Sequence, residues 1–75
     1  MITVYSQPGC MPCRATKRKL NDLHLEYKEV DVSTNPDAKA HIEALGYIST
    51  PVVETDNEHW GGFKIDKVNA LVTSS

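Results

Sequence analysis

The feature that most constrains this 75-residue chain is its pair of cysteines, Cys10 and Cys13, held in the stretch Ser6-Gln7-Pro8-Gly9-Cys10-Met11-Pro12-Cys13. A β-branched and aromatic run, Ile2-Thr3-Val4-Tyr5, leads into it, and a helix-forming run from Arg14 to Leu23 leads out. Two cysteines at that spacing, where a strand gives way to a helix, mark a site of dithiol chemistry. Their disulfide would close a loop of about four residues, stabilising by roughly 2 kcal/mol, against about 4.5 for a bridge spanning the whole chain. As a staple the pair is poor, and chemistry explains it better.

A chain this short makes one domain, expected over 1–75. The net charge of −2 argues against a general nucleic-acid binder. No apolar run approaches the ~18 residues of a membrane span, and no basic region followed by an apolar signal core opens the chain. The expected setting is the cytoplasm, a reducing compartment in which a disulfide cycles rather than staples. A tetrahedral metal site wants four ligands, and His24, His41 and His59 show no paired spacing beside the two cysteines, so no metal or cofactor is expected. Nothing suggests an oligomer, and a monomer is the expectation.

In chain order, Met1 to Tyr5 reads as a first, central strand. Pro8-Gly9 turns the chain, and Cys10 stands at the start of helix 1 with Pro12 in its first turn, where the missing N–H is harmless. Cys13, Leu20 and Leu23 can share one face, with Ala15 and Thr16 filling beside them, Arg14, Lys17, Arg18 and Lys19 cover much of the remainder, and Asn21-Asp22 and His24 mark a fraying end. Leu25 to Val32 is a second strand, with the phase of Glu29-Val30-Asp31-Val32 ambiguous. Asn35 caps helix 2, Pro36 opens it, Ala38, His41, Ile42 and Leu45 form its apolar stripe, and Gly46 ends it. Val52-Val53 begins a third strand, Thr55-Asp56-Asn57 turns into a fourth around Glu58-His59-Trp60, and Gly61-Gly62 breaks it. Phe63 to Val72 is a last helix, with Val68, Leu71 and Val72 inward and Thr73-Ser74-Ser75 frayed. Strands 1 and 2, joined by a helix, should run parallel, and strands 3 and 4 should form an antiparallel hairpin. The fold class is α/β, a β-α-β-α-β-β-α order with a mixed four-stranded sheet flanked by helices.

That order, the Cys10-Met11-Pro12-Cys13 motif and the segment Thr50-Pro51-Val52-Val53 resemble the thioredoxin and glutaredoxin superfamily from about Ile2 to Leu71, which implies a minimal thioredoxin fold. Within it, Ala44-Leu45-Gly46-Tyr47 and His59-Trp60-Gly61-Gly62-Phe63-Lys64-Ile65-Asp66 look most like the NrdH-redoxin family. The resemblance implies a dithiol–disulfide oxidoreductase, an electron carrier of cell redox homeostasis that is reduced by thioredoxin reductase. Its implied acceptor is class Ib ribonucleotide reductase, in deoxyribonucleotide synthesis. It also implies a cis Thr50-Pro51 bond beside the dithiol, presenting the Thr50 backbone to an extended substrate segment. Trp60, Gly61, Gly62, Phe63 and Lys64 would support the last loop, the aromatic pair through a hydrogen-bonded network. The family usually carries Trp-Ser-Gly-Phe-Arg-Pro-Asp where this chain has Trp60-Gly61-Gly62-Phe63-Lys64-Ile65-Asp66. The second glycine resembles glutaredoxins that use glutathione, the alternative reading. Against it, Ile65 stands where glutaredoxins place an acidic residue, and Gln7 replaces a basic residue common in both families, which weakens any carboxylate-anchoring site. A module binding a cluster or metal through Cys10 and Cys13 is the alternative from another class.

The chemistry follows from position. A free thiol of pKa near 8.5 is only about 3% ionised at pH 7, and one near pKa 7 about half. A helix N-terminus aims unpaired N–H groups and a positive dipole end at Cys10, making it the attacking residue. Cys13, one turn further in and more buried, resolves the mixed disulfide, while Met11 and Pro12 tune the turn between them. The cationic run from Arg14 to Lys19 is a solvated helix face or a docking surface for an acidic partner tail.

Overall fold

A computed structural model describes residues 1–73, and the fraying expected of Ser74 and Ser75 lies outside the described residues. The chain runs β1 (Thr3–Ser6), α1 (Met11–Asp22), β2 (Lys28–Asp31), α2 (Pro36–Ala44), β3 (Val52–Glu54), β4 (His59–Gly61) and α3 (Ile65–Thr73), the order expected. The strands form one mixed sheet ordered β2-β1-β3-β4. β1 is parallel to β2 and antiparallel to β3, and β3 is antiparallel to β4. β1 is therefore interior, and its C-terminal end delivers the chain to Cys10.

Alternation along the strands sorts the side chains onto two faces. Val4 and Val53 pack with Trp60, with Leu20 of α1 and with Val68 of α3. Tyr5 and Val52 face the other way, toward Ile42 of α2 and Val32. So α1 and α3 cover one face and α2 the other. The ambiguous phase of β2 resolves with Val30 and Val32 on the α2 side, while Glu29, registered with Val4, meets Lys17 of α1.

The helix ends show how local chemistry sets the elements. Asn35 accepts from the Ala38 N–H at 3.0 Å, and Pro36 opens α2 as expected. At its far end Gly46, at φ +101°, donates to the Glu43 carbonyl while the Tyr47 N–H reaches back to Ile42, a Schellman closure. α1 closes in the same way instead of fraying. His24 takes the left-handed conformation at φ +58° and donates to Asn21, and the Leu25 N–H reaches Leu20, both at 3.0 Å. That closure holds Leu25 against the end of α1 and delays β2 to Lys28, although Leu25 and Tyr27 still pack on the core.

α3 also differs from the expectation. Gly62, at φ +83°, donates to the Pro51 carbonyl at 2.8 Å, which keeps the chain on the sheet edge. The first α3 bond runs from the Val68 N–H to Lys64, so Phe63 and Lys64 precede the helix and Phe63 is 40% exposed. Val68 is fully buried, but Val72 is 44% exposed: it lies about 100° further round the helix from Leu71.

A polar cluster ties α2 to the sheet. His41 Nε2 donates to Glu54 Oε1 at 2.9 Å, and the Tyr5 hydroxyl donates to the same oxygen at 3.1 Å. The bond from His41, and then that from Tyr5, hold the Glu54 carboxyl below the usual carboxylate range against the opposing effect of partial burial. A carboxyl depressed in the folded state contributes stability above its unfolded pKa, near 4.3, and loses it as pH falls through the folded value. Glu54→Gln is therefore expected to cost more stability at pH 7 than at pH 3 in urea unfolding. Parallel pH dependences for the variant and the parent would show that the cluster carries no such linkage.

Candidate active site

Cys10 is the N-cap of α1, in an extended conformation that turns β1's trajectory into the helix axis. Its Sγ accepts a hydrogen bond from the Cys13 N–H at 3.1 Å, one of the donors a helix start leaves without an intrahelical partner. Pro12 sits in the first turn, where it removes an N–H that the helix does not use. Cys10 and Cys13 form a disulfide, with Cα atoms 5.2 Å apart. Cys13 is buried, at 1% exposure, while Cys10 remains partly open to solvent.

The second wall comes from the loop before β3. The Thr50-Pro51 peptide is cis, as the resemblance implied. Thr50 Oγ1 donates to Cys10 Sγ at 3.5 Å, so residues forty positions apart meet at one sulfur. Pro51 is buried and its carbonyl is held by Gly62, which locks this loop to the end of β4. Three large apolar side chains near the site in sequence stand in solvent. Met11, between the cysteines, is 69% exposed, Ile48, two residues before Thr50, is 96% exposed, and Phe63 follows Gly62.

The supporting residues divide. Trp60 is buried in the α1/α3 core, and its indole N–H has no hydrogen-bond partner among the described residues. The indole therefore takes no part in the hydrogen-bonded network that the resemblance implied, and Trp60 is held by packing. Lys64 is exposed and begins α3 through its carbonyl. Gly61 has a steric reason. A Cβ there would lie 2.9 Å from Cδ1 of Tyr47, whose ring stands edge-on to His59 with its hydroxyl 2.7 Å from His59 Nδ1. This aromatic pair and the Tyr5–Glu54–His41 cluster join distant parts of the chain, and no local sequence signal announces either.

Beside α1, the Lys17 ammonium and the Ser6 hydroxyl both donate to Glu29 Oε2, and in that order they hold its carboxyl below the usual range. Asp31 is lowered by the Ser33 side chain and backbone, forming a turn after β2. Among the described residues no three His, Cys, Asp or Glu side chains gather where a metal could be held. No described helix is long and apolar enough to cross a membrane.

Against known proteins, the glutaredoxin family pattern matches residues 2–60. The gene 56 protein of Mycobacterium phage D29 is 41% identical over 73 residues, 95% of this chain and 81% of the phage protein. The glutaredoxin-like protein NrdH of Salmonella typhimurium is 37% identical over 70 residues, 93% of this chain and 86% of its own. Among solved structures, the glutaredoxin-like NrdH-redoxin of Escherichia coli, described by a thioredoxin-like activity profile, superposes with a TM-score of 0.90 at 33% identity, covering 93% of this chain and 92% of that one. With a redox disulfide at the head of α1 and these relatives along nearly its whole length, the chain belongs to the glutaredoxin family, as one of its NrdH-like thiol–disulfide oxidoreductases.

Proposed function

We propose that this protein is a dithiol electron donor, reduced by thioredoxin reductase and reducing the disulfide of a class Ib ribonucleotide reductase. It works as a monomer and a single domain in the reducing cytoplasm. The observation that supports the chemistry best is the asymmetry of the two sulfurs. Cys10 Sγ accepts from the Cys13 N–H and the Thr50 hydroxyl, whereas Cys13 is buried. Two donors on one sulfur, at the positive end of a helix, favour its thiolate.

In the reduced protein the Cys10 thiolate attacks one sulfur of the partner disulfide. A mixed disulfide forms and the partner's other sulfur leaves as a thiolate, taking a proton from solvent. Cys13, deprotonated in turn, attacks Cys10 Sγ. The mixed disulfide breaks, the partner's second thiol is released, and the Cys10–Cys13 disulfide closes, so that two electrons and two protons have passed to the partner. Thioredoxin reductase returns them. Met11 and Pro12 shape the turn that joins the sulfurs. The Thr50-Pro51 loop offers its backbone to the extended partner segment, and Trp60, Gly61, Gly62, Phe63 and Lys64 hold the loop behind it.

The Gly61-Gly62 pair favours a second reading, a glutaredoxin using glutathione. Its weight drops once Gly61 is explained by the Tyr47 ring. The exposed Met11, Ile48 and Phe63 suit a protein surface better than a charged tripeptide. The test is reduction of the oxidised protein by two systems in parallel, followed as NADPH oxidation. Rapid turnover with thioredoxin reductase, and little with glutathione and glutathione reductase, is expected. The opposite pattern would make it a glutathione-dependent glutaredoxin.

A further inference from the structure

Charge is distributed unevenly along this chain. Residues 1–21 contain four cations, Arg14, Lys17, Arg18 and Lys19, and no Asp or Glu, whereas the remainder holds all ten acidic residues against four lysines. The cations fall on α1, whose first turn lacks an acidic residue although the helix dipole favours one there. A carboxylate at that place would repel both a Cys10 thiolate and an acidic visitor. Lys17 is engaged by Glu29. Arg14, Arg18 and Lys19 form no ion pair among the described residues.

Arg14 and Arg18 are four residues apart and so share one helix face with Met11 and Ala15. Together these four line a shallow groove of about 390 Å³. It starts at Met11, the exposed residue beside the disulfide, and leads away from it along the outside of α1. The seven helical rises from Met11 to Arg18 span roughly 10 Å, the length of about three residues of extended chain.

We propose that the outer face of α1 is a docking track for an acidic, extended segment flanking the reacting cysteine of the partner protein, an inference that rests on the reading of the dithiol as a donor to protein disulfides. The segment's cysteine bonds to Cys10, its backbone passes Met11, and carboxylates within about three to four positions of that cysteine meet Arg14 and Arg18. Attraction between opposite charges raises the association rate and is screened by salt, so the preference is largest at low ionic strength.

The test compares two disulfide-bonded peptides of one sequence, flanked by three glutamates or by three glutamines. The readout is the second-order rate constant for oxidation of protein reduced with dithiothreitol and desalted, measured by alkylation of the remaining thiols. The result is therefore independent of which reductase serves the protein. The glutamate peptide is expected to react about tenfold faster at low salt and near parity at about 0.5 M NaCl. Arg14→Gln with Arg18→Gln should remove the preference, and Arg14→Glu with Arg18→Glu should reverse it. Because the preference is a ratio measured on one variant, any change in Cys10 reactivity cancels. Equal rates for the two peptides at low salt, or a ratio unchanged in the double variants, would overturn the track. If neither peptide reacts while hydroxyethyl disulfide does, the donor reading itself falls and takes the track with it.

Discussion

Cys10→Ser is expected to reduce disulfide turnover to the uncatalysed background, while Cys13→Ser leaves the first chemical step intact and stops the second. The difference lies in geometry. Cys10 is partly exposed and its Sγ receives hydrogen bonds from the Cys13 N–H and Thr50 Oγ1, which makes it the expected point of attack and the sulfur whose anion is favoured. Cys13, at 1% exposure, reaches only Cys10. A serine at position 10 leaves no exposed thiolate. A serine at position 13 leaves an attacking thiolate with nothing to resolve the bond it makes, so mixed disulfides accumulate and are visible on non-reducing gels. Both variants lose the same short-loop disulfide, worth roughly 2 kcal/mol, so a shared loss of stability cannot produce opposite trapping behaviour. Retained turnover in Cys10→Ser, or trapping by Cys10→Ser rather than Cys13→Ser, would reverse the assignment.

The parts of this molecule legible in its sequence are those governed by neighbours along the chain. Asn35-Pro36 opens α2 and Gly46 closes it because capping involves residues within one turn. Cys10 falls at the head of α1 because Pro8-Gly9 turns the chain out of β1 and Pro12 is at home in a first turn. What the sequence conceals is set by contacts across the sheet. His24 closes α1 in a conformation where glycine is the usual signal, so its end reads as frayed. Phe63 reads as helical because the bond from Gly62 to Pro51, which ties the chain to the sheet edge before the helix starts, cannot be seen locally. Tyr5, His41 and Glu54 meet only because β1 pairs with β3 beneath α2. The site divides along the same line. The cysteines are evident from spacing, whereas the approach of Thr50 to Cys10 is legible only through resemblance. Gly61 reads like a glutathione-site glycine and has instead a packing reason, the ring of Tyr47.

Leu20→Ala is expected to destabilise the protein by about 2–5 kcal/mol, the range for removing a large aliphatic side chain from a close-packed core. Leu20 is fully buried in a cluster that joins α1 to Val4 of β1, Val53 of β3, Trp60 of β4 and Val68 of α3, so no single element can collapse into the space it leaves. A chain of this length has a total stability of roughly 4–11 kcal/mol, and the variant therefore loses a large share of it, measured as a fall in the urea midpoint at unchanged slope. Ile48→Ala is the contrasting substitution. Its side chain is 96% exposed, so it should change stability by no more than about 0.5 kcal/mol. If Ile48→Ala nevertheless slows reduction of a protein disulfide while leaving hydroxyethyl disulfide untouched, its exposed side chain is kept for a protein partner rather than for the fold. A large loss of stability in Ile48→Ala would mean that the loop before Thr50 is packed in solution and that Ile48 is not free to meet a partner.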